Sequence, residues 1–159
     1  LSEKVTNPLN GLKIAPYYGC TLQRPREVGI EATGSFELMN KFIEALGGEA
    51  VRHTGADVCC GSYQVLGNPD AAKTTASSII NGALKAGAEA LSMSCPLCEF
   101  NLGKKQDALV QENRVTGKIP TFYFTQLLAL AVGLDSEACL LGLNDKISAE
   151  LLKGKGLIK

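Results

Sequence analysis

The chain has 159 residues, of which 45% are hydrophobic, and its 16 lysine and arginine residues balance 16 aspartate and glutamate residues. This length suffices for one globular domain with its own apolar core, and the level charge disfavours binding to nucleic acid or to an anionic membrane. The longest purely apolar run, residues 127–132, is far shorter than the roughly 18 residues of a spanning helix, so we expect a soluble, cytoplasmic protein without a membrane span.

The first 11 residues are predicted to lie outside the domain. They are mostly polar and contain Pro8, a composition typical of a connector between domains. We therefore divide the chain into a linker or artificial start at residues 1–11 and a single domain at residues 12–159. We expect this chain to be a fragment of a longer protein.

The first strand is predicted at residues 12–18, which contain isoleucine and tyrosine, with Pro16 marking where the strand leaves the ladder. A helix is predicted next, with Ser35 as its N-cap and Gly47-Gly48 at its end. Apolar side chains recur along this helix at helical spacing. They are Phe36, Met39, Phe42, Ile43 and Leu46.

The second strand is predicted at residues 49–53, and the sequence Cys59-Cys60-Gly61 follows it. Asn68, Pro69 and Asp70 combine a capping side chain, a residue suited to the first helical position and an acid suited to the positive helix end. They predict a helix that ends at Gly87.

The third strand is predicted at residues 90–94 and leads directly into Cys95-Pro96-Leu97-Cys98. The proline of this motif predicts the start of a helix that runs to about residue 113. A fourth strand at residues 119–124 and a helix at residues 125–132 complete the predicted elements.

Strands and helices alternate along the chain, which predicts an α/β fold with a mostly parallel sheet and helices on both faces. Rossmann-like and flavodoxin-like folds have this organisation, and their ligands bind outside the carboxyl ends of the strands. Five of the six cysteines follow predicted strands, so three loops bring thiols to one edge of the sheet. These five are Cys20, Cys59, Cys60, Cys95 and Cys98.

The spacing of Cys95 and Cys98 is typical of several kinds of site. Thiolate is the metal-binding form of cysteine, and burial disfavours it unless a positive field or a metal is near. Cys95 is predicted at the N-cap of the helix that Pro96 begins, and a Cys-x-x-Cys spacing lets both sulfur atoms face one ion. Zinc sites, thioredoxin-like enzymes and iron–sulfur proteins share this spacing.

The adjacent pair Cys59-Cys60 favours a cluster of several metal ions. Two neighbouring cysteines bind one tetrahedral ion only with strain, but they readily reach different irons of a cluster, and Gly61 lets the chain pass close to the sulfur atoms. Five thiols also exceed the four ligands of a closed zinc site. We predict an iron–sulfur cluster, and the alternatives are zinc on four of the five thiols, a thioredoxin-type dithiol or a set of disulfides.

The remaining cysteine and the only histidine have simpler interpretations. Cys139 is expected to be a small core residue. His53 is expected to be a plain strand-end residue, with proton donation to a leaving thiolate as the alternative. The apolar stripe at residues 126–132 is expected to cover either the sheet or a missing partner.

Tyrosines and lysines near the cysteines have two interpretations each. The tyrosines either shield the cluster and tune its potential or pack at the sheet edge. The lysines are expected to be solvated rather than to steer an anionic substrate. These residues are Tyr17, Tyr18, Tyr63, Lys104 and Lys105.

The order Cys20, Cys59-Cys60-Gly61, Cys95-x-x-Cys98 forms the CCG motif, and the chain resembles the C-terminal half of the B subunit of heterodisulfide reductase. The resemblance extends from about residue 8 to residue 132. Segments beyond the cysteines share it, namely residues 7–20, 95–102 and 119–126.

In that family two CCG halves form the catalytic subunit, and the cysteines of each motif ligate a noncubane 4Fe-4S cluster. The resemblance implies that this cluster serves to reduce a disulfide, such as the heterodisulfide of coenzyme M and coenzyme B, to thiols. It implies three partners: the N-terminal CCG half, an iron–sulfur C subunit and a flavin-bearing A subunit. The implied ligands are Cys20, Cys59, Cys60, Cys95 and Cys98, with Cys59 and Cys60 as catalytic residues.

This chain carries a single CCG set, so we expect the isolated half to lack catalytic activity. Related CCG domains occur in iron–sulfur subunits of lactate, glycolate, glycerol phosphate, succinate or fumarate metabolism. Electron transfer within a dehydrogenase complex is therefore the second hypothesis. A zinc-stabilised interaction domain is the third.

Overall fold

The computed structural model describes residues 1–32 and 34–159. In this part of the chain, strands and helices alternate as predicted, with one further helix near the C-terminus. The strands are β1 (Lys13–Pro16), β2 (Glu49–Ala50), β3 (Ala90–Met93) and β4 (Thr121–Tyr123). The helices are α1 (Glu37–Ala45), α2 (Pro69–Lys85), α3 (Pro96–Glu99), a π-helical turn (Phe100–Lys104), α4 (Gln106–Gln111), α5 (Phe124–Ala131) and α6 (Lys146–Gly154).

The described strands form one parallel sheet in the order β2-β1-β3-β4. The chain passes outward from β1 to β2 and then crosses back to β3 on the other side of β1. Adjacent connections therefore diverge between β1 and β3, and ligands of parallel α/β sheets bind at such a point. The prediction of an α/β fold with a parallel sheet is confirmed.

Alternate residues of each strand point to opposite faces of the sheet. Both faces carry apolar side chains, and helices cover both. Ala15 and Leu91 belong to a core that α2 and the helices after β3 cover. Ile14 and Ala90 belong to a second core, formed with α1, α5 and α6. The apolar stripe of α5 packs into this second core, so it covers the sheet.

Three elements differ clearly from the sequence-based expectation, and the other strand and helix ends shift by one or two residues. The second strand is only two residues long, since β2 pairs with β1 through residues 49 and 50 alone. The helix predicted from residue 96 to residue 113 is interrupted by the π turn. Ser35 is not the N-cap of α1, because Phe36 occupies that position and the Glu31 carboxylate accepts hydrogen bonds from the first amides of the helix.

Candidate metal centre

The five cysteines lie beyond the carboxyl ends of three strands. Cys20 comes four residues after β1, and Cys95 is the N-cap of α3, two residues after β3. Cys59 and Cys60 lie in the loop from β2 to α2. β1 and β3 are neighbours at the centre of the sheet, so their loops meet at the point where the connections diverge.

The structure brings these thiols close enough to affect one another. Cys59 and Cys60 help to raise the pKa of Cys20. Cys60 and Cys95 help to raise the pKa of Cys98. The five thiols from three loops are therefore neighbours at one edge of the sheet, and the assignment of these residues as ligands stays a prediction.

All six cysteines are free thiols, which argues against the alternative of three disulfides. Across residues 1–32 and 34–159, no three His, Cys, Asp or Glu side chains are arranged to hold a single metal ion. Soft sulfur donors of this number suit an iron–sulfur cluster.

The pKa of the Cys60 thiol is lowered. A hydrogen bond from the Cys98 thiol is the main cause, and it lowers the pKa of Cys60 to about 6 although burial opposes this change. The amide and hydroxyl of Ser62 and the side chain of Asn101 add further hydrogen bonds to the Cys60 sulfur. Cys60 is therefore poised to be a thiolate near neutral pH, which is the form that binds metal.

Other thiols of the site favour the protonated form. The hydrogen bond to Cys60, followed by burial, raises the pKa of Cys98. Burial, followed by the contact with Cys59, raises the pKa of Cys20. A metal that binds here must displace these protons, so binding releases protons and strengthens as pH rises.

Tyr17 lies beneath the thiols. Its side chain is 1% exposed, and its hydroxyl donates a hydrogen bond to the Val58 carbonyl at 2.7 Å. Burial raises its pKa, and the nearby charge of Cys98 adds to the effect. Tyr17 therefore supports the loop of Cys59 and Cys60.

The other two tyrosines have different positions. Tyr18 points to α1, where its hydroxyl accepts a hydrogen bond from the Met39 amide at 2.9 Å. Tyr63 is 76% exposed. Of Tyr17, Tyr18 and Tyr63, Tyr17 is the one that lies buried beside the thiols.

His53 and the two lysines make contacts within the chain. The ring nitrogens Nδ1 and Nε2 of His53 each lie 3.2 Å from a backbone carbonyl, of Thr54 and Pro16 respectively, and burial lowers its pKa. Lys104 donates to the Leu143 carbonyl, and the Lys105 ammonium lies 4.8 Å from the centre of the Phe100 ring. His53 thus makes structural contacts, and Lys104 and Lys105 are both exposed.

Asn101 belongs to the site although its sequence context did not single it out. It is 4% exposed, and its Nδ2 donates a hydrogen bond to the Cys60 carbonyl at 3.1 Å. Its position three residues after Cys98 was the available signal, since residues three apart on a helix share a face.

Large apolar side chains are exposed on the loops that carry the cysteines. Val58 precedes Cys59, and Leu97 lies between Cys95 and Cys98. Exposed apolar groups close together often mark an interaction surface. The exposed side chains in these loops are Val58, Tyr63, Leu66, Leu97 and Phe100.

The helices formed by residues 1–32 and 34–159 do not have the dimensions of membrane spans. None of them is both long enough and apolar enough to cross a bilayer.

Comparison with known proteins gives one family match and several relatives. The CCG cysteine-rich domain matches residues 14–103, a range that contains all five cysteines of the site. The chain is 32% identical over 148 residues to the 8-methylmenaquinol:fumarate reductase membrane anchor subunit of Wolinella succinogenes, covering 92% of this chain and 51% of that protein.

Two further relatives carry heterodisulfide reductase names. The B subunit of the ferredoxin:CoB-CoM heterodisulfide reductase of Methanosarcina mazei is 29% identical over 140 residues, which cover 86% of this chain and 46% of that protein. A protein of Archaeoglobus profundus, named as similar to the B subunit of heterodisulfide reductase, is 28% identical over 142 residues, which cover 86% of this chain and 48% of that protein. The chain spans about half the length of these curated relatives.

Proposed function

The chain belongs to the CCG cysteine-rich domain family, and on this basis we propose that it is the cluster-binding half of a reductase component similar to the B subunit of heterodisulfide reductase. The proposed cofactor is a 4Fe-4S cluster of the noncubane type. Its proposed ligands are Cys20, Cys59, Cys60, Cys95 and Cys98.

The observation that carries this proposal is the placement of five thiols on three loops at one edge of the sheet, close enough to affect one another's pKa. A closed zinc site takes four ligands, and a thioredoxin-type dithiol uses two. Zinc would leave one of the five thiols unused, and a dithiol would leave three unused. A cluster uses all five thiols.

The proposed reaction is the reduction of a disulfide, such as the heterodisulfide of coenzyme M and coenzyme B, to two thiols. It consumes two electrons and two protons as the S–S bond breaks. When bound, the cluster supplies electrons that partner subunits deliver. Cys59 and Cys60 are the proposed catalytic residues, since neighbouring cysteines can reach separate irons, and the low pKa of the Cys60 thiol favours the metal-binding thiolate.

The proposed partner of this domain is a second CCG half. The chain spans about half of each relative's length, which leaves room there for a domain of similar size. The exposed apolar side chains around the cysteines give this half a surface on which another domain can pack. We further propose that an iron–sulfur C subunit and a flavin-bearing A subunit complete the complex in the cytoplasm.

A second candidate function is electron transfer without contact to a disulfide. The similarity to a fumarate reductase subunit, at 32% identity, favours it. In that case the same thiols hold a cluster, and electrons pass through it to a separate catalytic subunit.

Anaerobic purification followed by iron and acid-labile sulfide analysis tests the proposed cofactor. We expect about four irons and four sulfides per chain, and zinc without iron would refute the cluster. Electron paramagnetic resonance of the oxidised protein with added substrate thiols then separates the two functions. A paramagnetic signal that the thiol perturbs supports disulfide chemistry at the cluster, whereas a signal insensitive to thiols supports electron transfer alone.

A further inference from the structure

We propose that Asn101 is a positioning residue of the cysteine site. Its side chain holds the loop of Cys59 and Cys60 against the helix that carries Cys95 and Cys98. The inference deepens the proposed function, and it rests on that function only for its effect on metal binding.

Asn101 contacts the cysteine loop directly. It is 4% exposed, and its Nδ2 donates to the Cys60 carbonyl at 3.1 Å across 41 positions of sequence. Removal of this donor would leave a buried carbonyl without a hydrogen-bond partner. The loss of stability would then be larger than the net contribution of the hydrogen bond itself.

The backbone around Asn101 has an unusual conformation. The amide of Lys105 donates to the carbonyl of Phe100 at 3.2 Å, a bond over five residues that defines the π turn. Such turns are rare overall, and those that occur are often found at functional sites. This one gives the helix after Cys98 a wide turn at the position from which Asn101 reaches Cys60.

Neighbouring side chains stabilise the π turn. Gln106 donates to the carbonyl of Ile119 at 2.8 Å and accepts from its amide at 2.7 Å, and it also donates to the Leu102 carbonyl inside the turn. Gly103 leaves room for the close packing, because a Cβ there would lie 2.7 Å from Oγ1 of Thr121. The turn is thus held from the β4 side, which fixes the position of Asn101.

The cysteine loop is attached on two sides. Its Ala56 carbonyl accepts from the amides of Tyr18 at 2.7 Å and Gly19 at 3.1 Å, and its Val58 carbonyl accepts from Tyr17. These bonds attach the loop to the end of β1. Asn101 attaches it to the helix of Cys98, so this side chain sets the distance between the two cysteine motifs.

The test compares Asn101→Ala and Asn101→Asp with the wild-type chain and with Asn81→Ala. The carboxylate of Asn101→Asp is close in shape but cannot donate a hydrogen bond. Asn81 is a matched control because its Nδ2 also donates to a backbone carbonyl, that of Arg114, at 2.9 Å. It lies near the far end of α2, whereas the cysteine loop precedes the start of α2.

Two measurements use the metal-free protein, so they decide the proposal even if the wild type binds no iron. We expect both Asn101 variants to lose the cross-link that dibromobimane forms between Cys60 and Cys98, identified by mass spectrometry. We also expect about fivefold to tenfold faster hydrogen exchange at amides 56–62, the factor for one lost buried hydrogen bond. Asn81→Ala should change neither.

A third measurement is iron affinity during anaerobic reconstitution. Residues that orient metal ligands typically contribute about 10-fold to 100-fold in affinity, and we expect a loss of that size in both Asn101 variants. An unchanged cross-link and unchanged exchange in Asn101→Ala and Asn101→Asp would overturn the proposal. Equal losses in Asn81→Ala would also overturn it, since they would show a general effect of destabilisation. A wild type that takes up no iron would refute the cluster and leave the positioning role to be decided by the first two measurements.

Discussion

Cys139 and Cys20 differ in what surrounds their sulfur atoms. Cys139 is 2% exposed within the second core, and its thiol donates to the Leu134 carbonyl. Burial raises its pKa, which keeps it protonated and unfit for metal. Cys20 is half-buried and contacts Cys59.

We therefore expect opposite results from two alanine variants. Cys139→Ala should keep the iron and sulfide content and lower the free energy of unfolding by about 1 kcal/mol, the effect of removing a buried group of this size. Cys20→Ala should lose iron and sulfide with little change in the metal-free stability. Urea denaturation and metal analysis of both variants check this. Loss of iron in Cys139→Ala would contradict the assignment of ligands.

Position 61 requires glycine for two reasons, its backbone conformation and its close packing against α2. Its φ is +77°, and a Cβ there would lie 3.0 Å from the Cα of Ala72. The sequence suggested that this glycine allows close passage by the sulfur atoms, whereas the structure places α2 against it. Gly67 has open space around a potential Cβ and is a matched control.

Gly61→Ala should destabilise the metal-free chain by about 1–2 kcal/mol, because an L residue is strained in the left-handed region. It should also reduce iron uptake, since the strain falls next to Cys60. Gly67→Ala should leave stability and uptake within error of the wild type. Urea denaturation and anaerobic reconstitution measure the two effects, and equal behaviour of the two variants would show that position 61 does not require glycine.

Helix α1 begins with a cap that comes from outside the helix. The Glu31 carboxylate accepts from the amides of Glu37 at 2.9 Å and Leu38 at 3.1 Å, and from the Ser35 hydroxyl. Burial alone would raise the pKa of Glu31, but hydrogen bonds from Tyr18, Ser35 and the two amides together lower it. A negative charge at a helix N-terminus is also favoured by the helix dipole.

This cap makes the stability of α1 depend on pH. The folded-state pKa of Glu31 lies below its ordinary value of 4.5, so its contribution is complete above that value and is lost as pH falls through the folded pKa. Glu31→Gln should lower the free energy of unfolding by about 1 kcal/mol at pH 7, the usual size for a cap. The difference from wild type should vanish in acid, below the folded pKa.

Urea denaturation at several pH values measures this difference. Glu27→Gln, at an exposed position, should match the wild type at every pH. A Glu31→Gln effect that is independent of pH would show that shape and not charge is responsible.

The two caps show which helix ends a sequence can predict. Asn68 is adjacent to α2 and its side chain accepts from the Ala71 amide at 3.1 Å, so a local pattern was sufficient. Glu31 reaches α1 from six residues before Glu37, by a path that only the folded loop defines. The π turn was missed for the same reason, since it depends on the contact of Gln106 with Ile119.

The arrangement of the whole molecule explains why the sequence could predict that the cysteine loops lie together but not the contacts between them. A parallel sheet brings the ends of all its strands to one edge, so three cysteine loops after strands had to lie near one another. The conformation of the loops determines which thiols lie next to each other. The proximity of Cys60 to Cys98 and the hydrogen bond from Asn101 to the Cys60 carbonyl therefore required the structure.

The two cores lie on opposite faces of the sheet, and most of their residues are remote from the thiols. Cys20 and Cys59 belong to neither core, whereas Cys60 and Cys98 belong to the one that α2 covers. β1 and β3 pair at the centre of the sheet, and helices pack on both of its faces. The packing that holds the sheet together is therefore largely independent of the cysteine loops.

We therefore expect the fold to survive removal of iron. Zinc fingers unfold without metal because metal binding supplies their folding free energy, whereas a domain of this size buries a sufficient core of its own. Treatment with reductant and chelator should leave the far-ultraviolet circular dichroism unchanged and should lower the melting temperature only by the linkage between metal binding and folding. Hydrogen exchange should accelerate in the loops of residues 55–61 and 95–104 and stay slow in β1, β3 and α2. Loss of protection across the central strands on iron removal would mean that the metal, and not the two cores, holds this domain together.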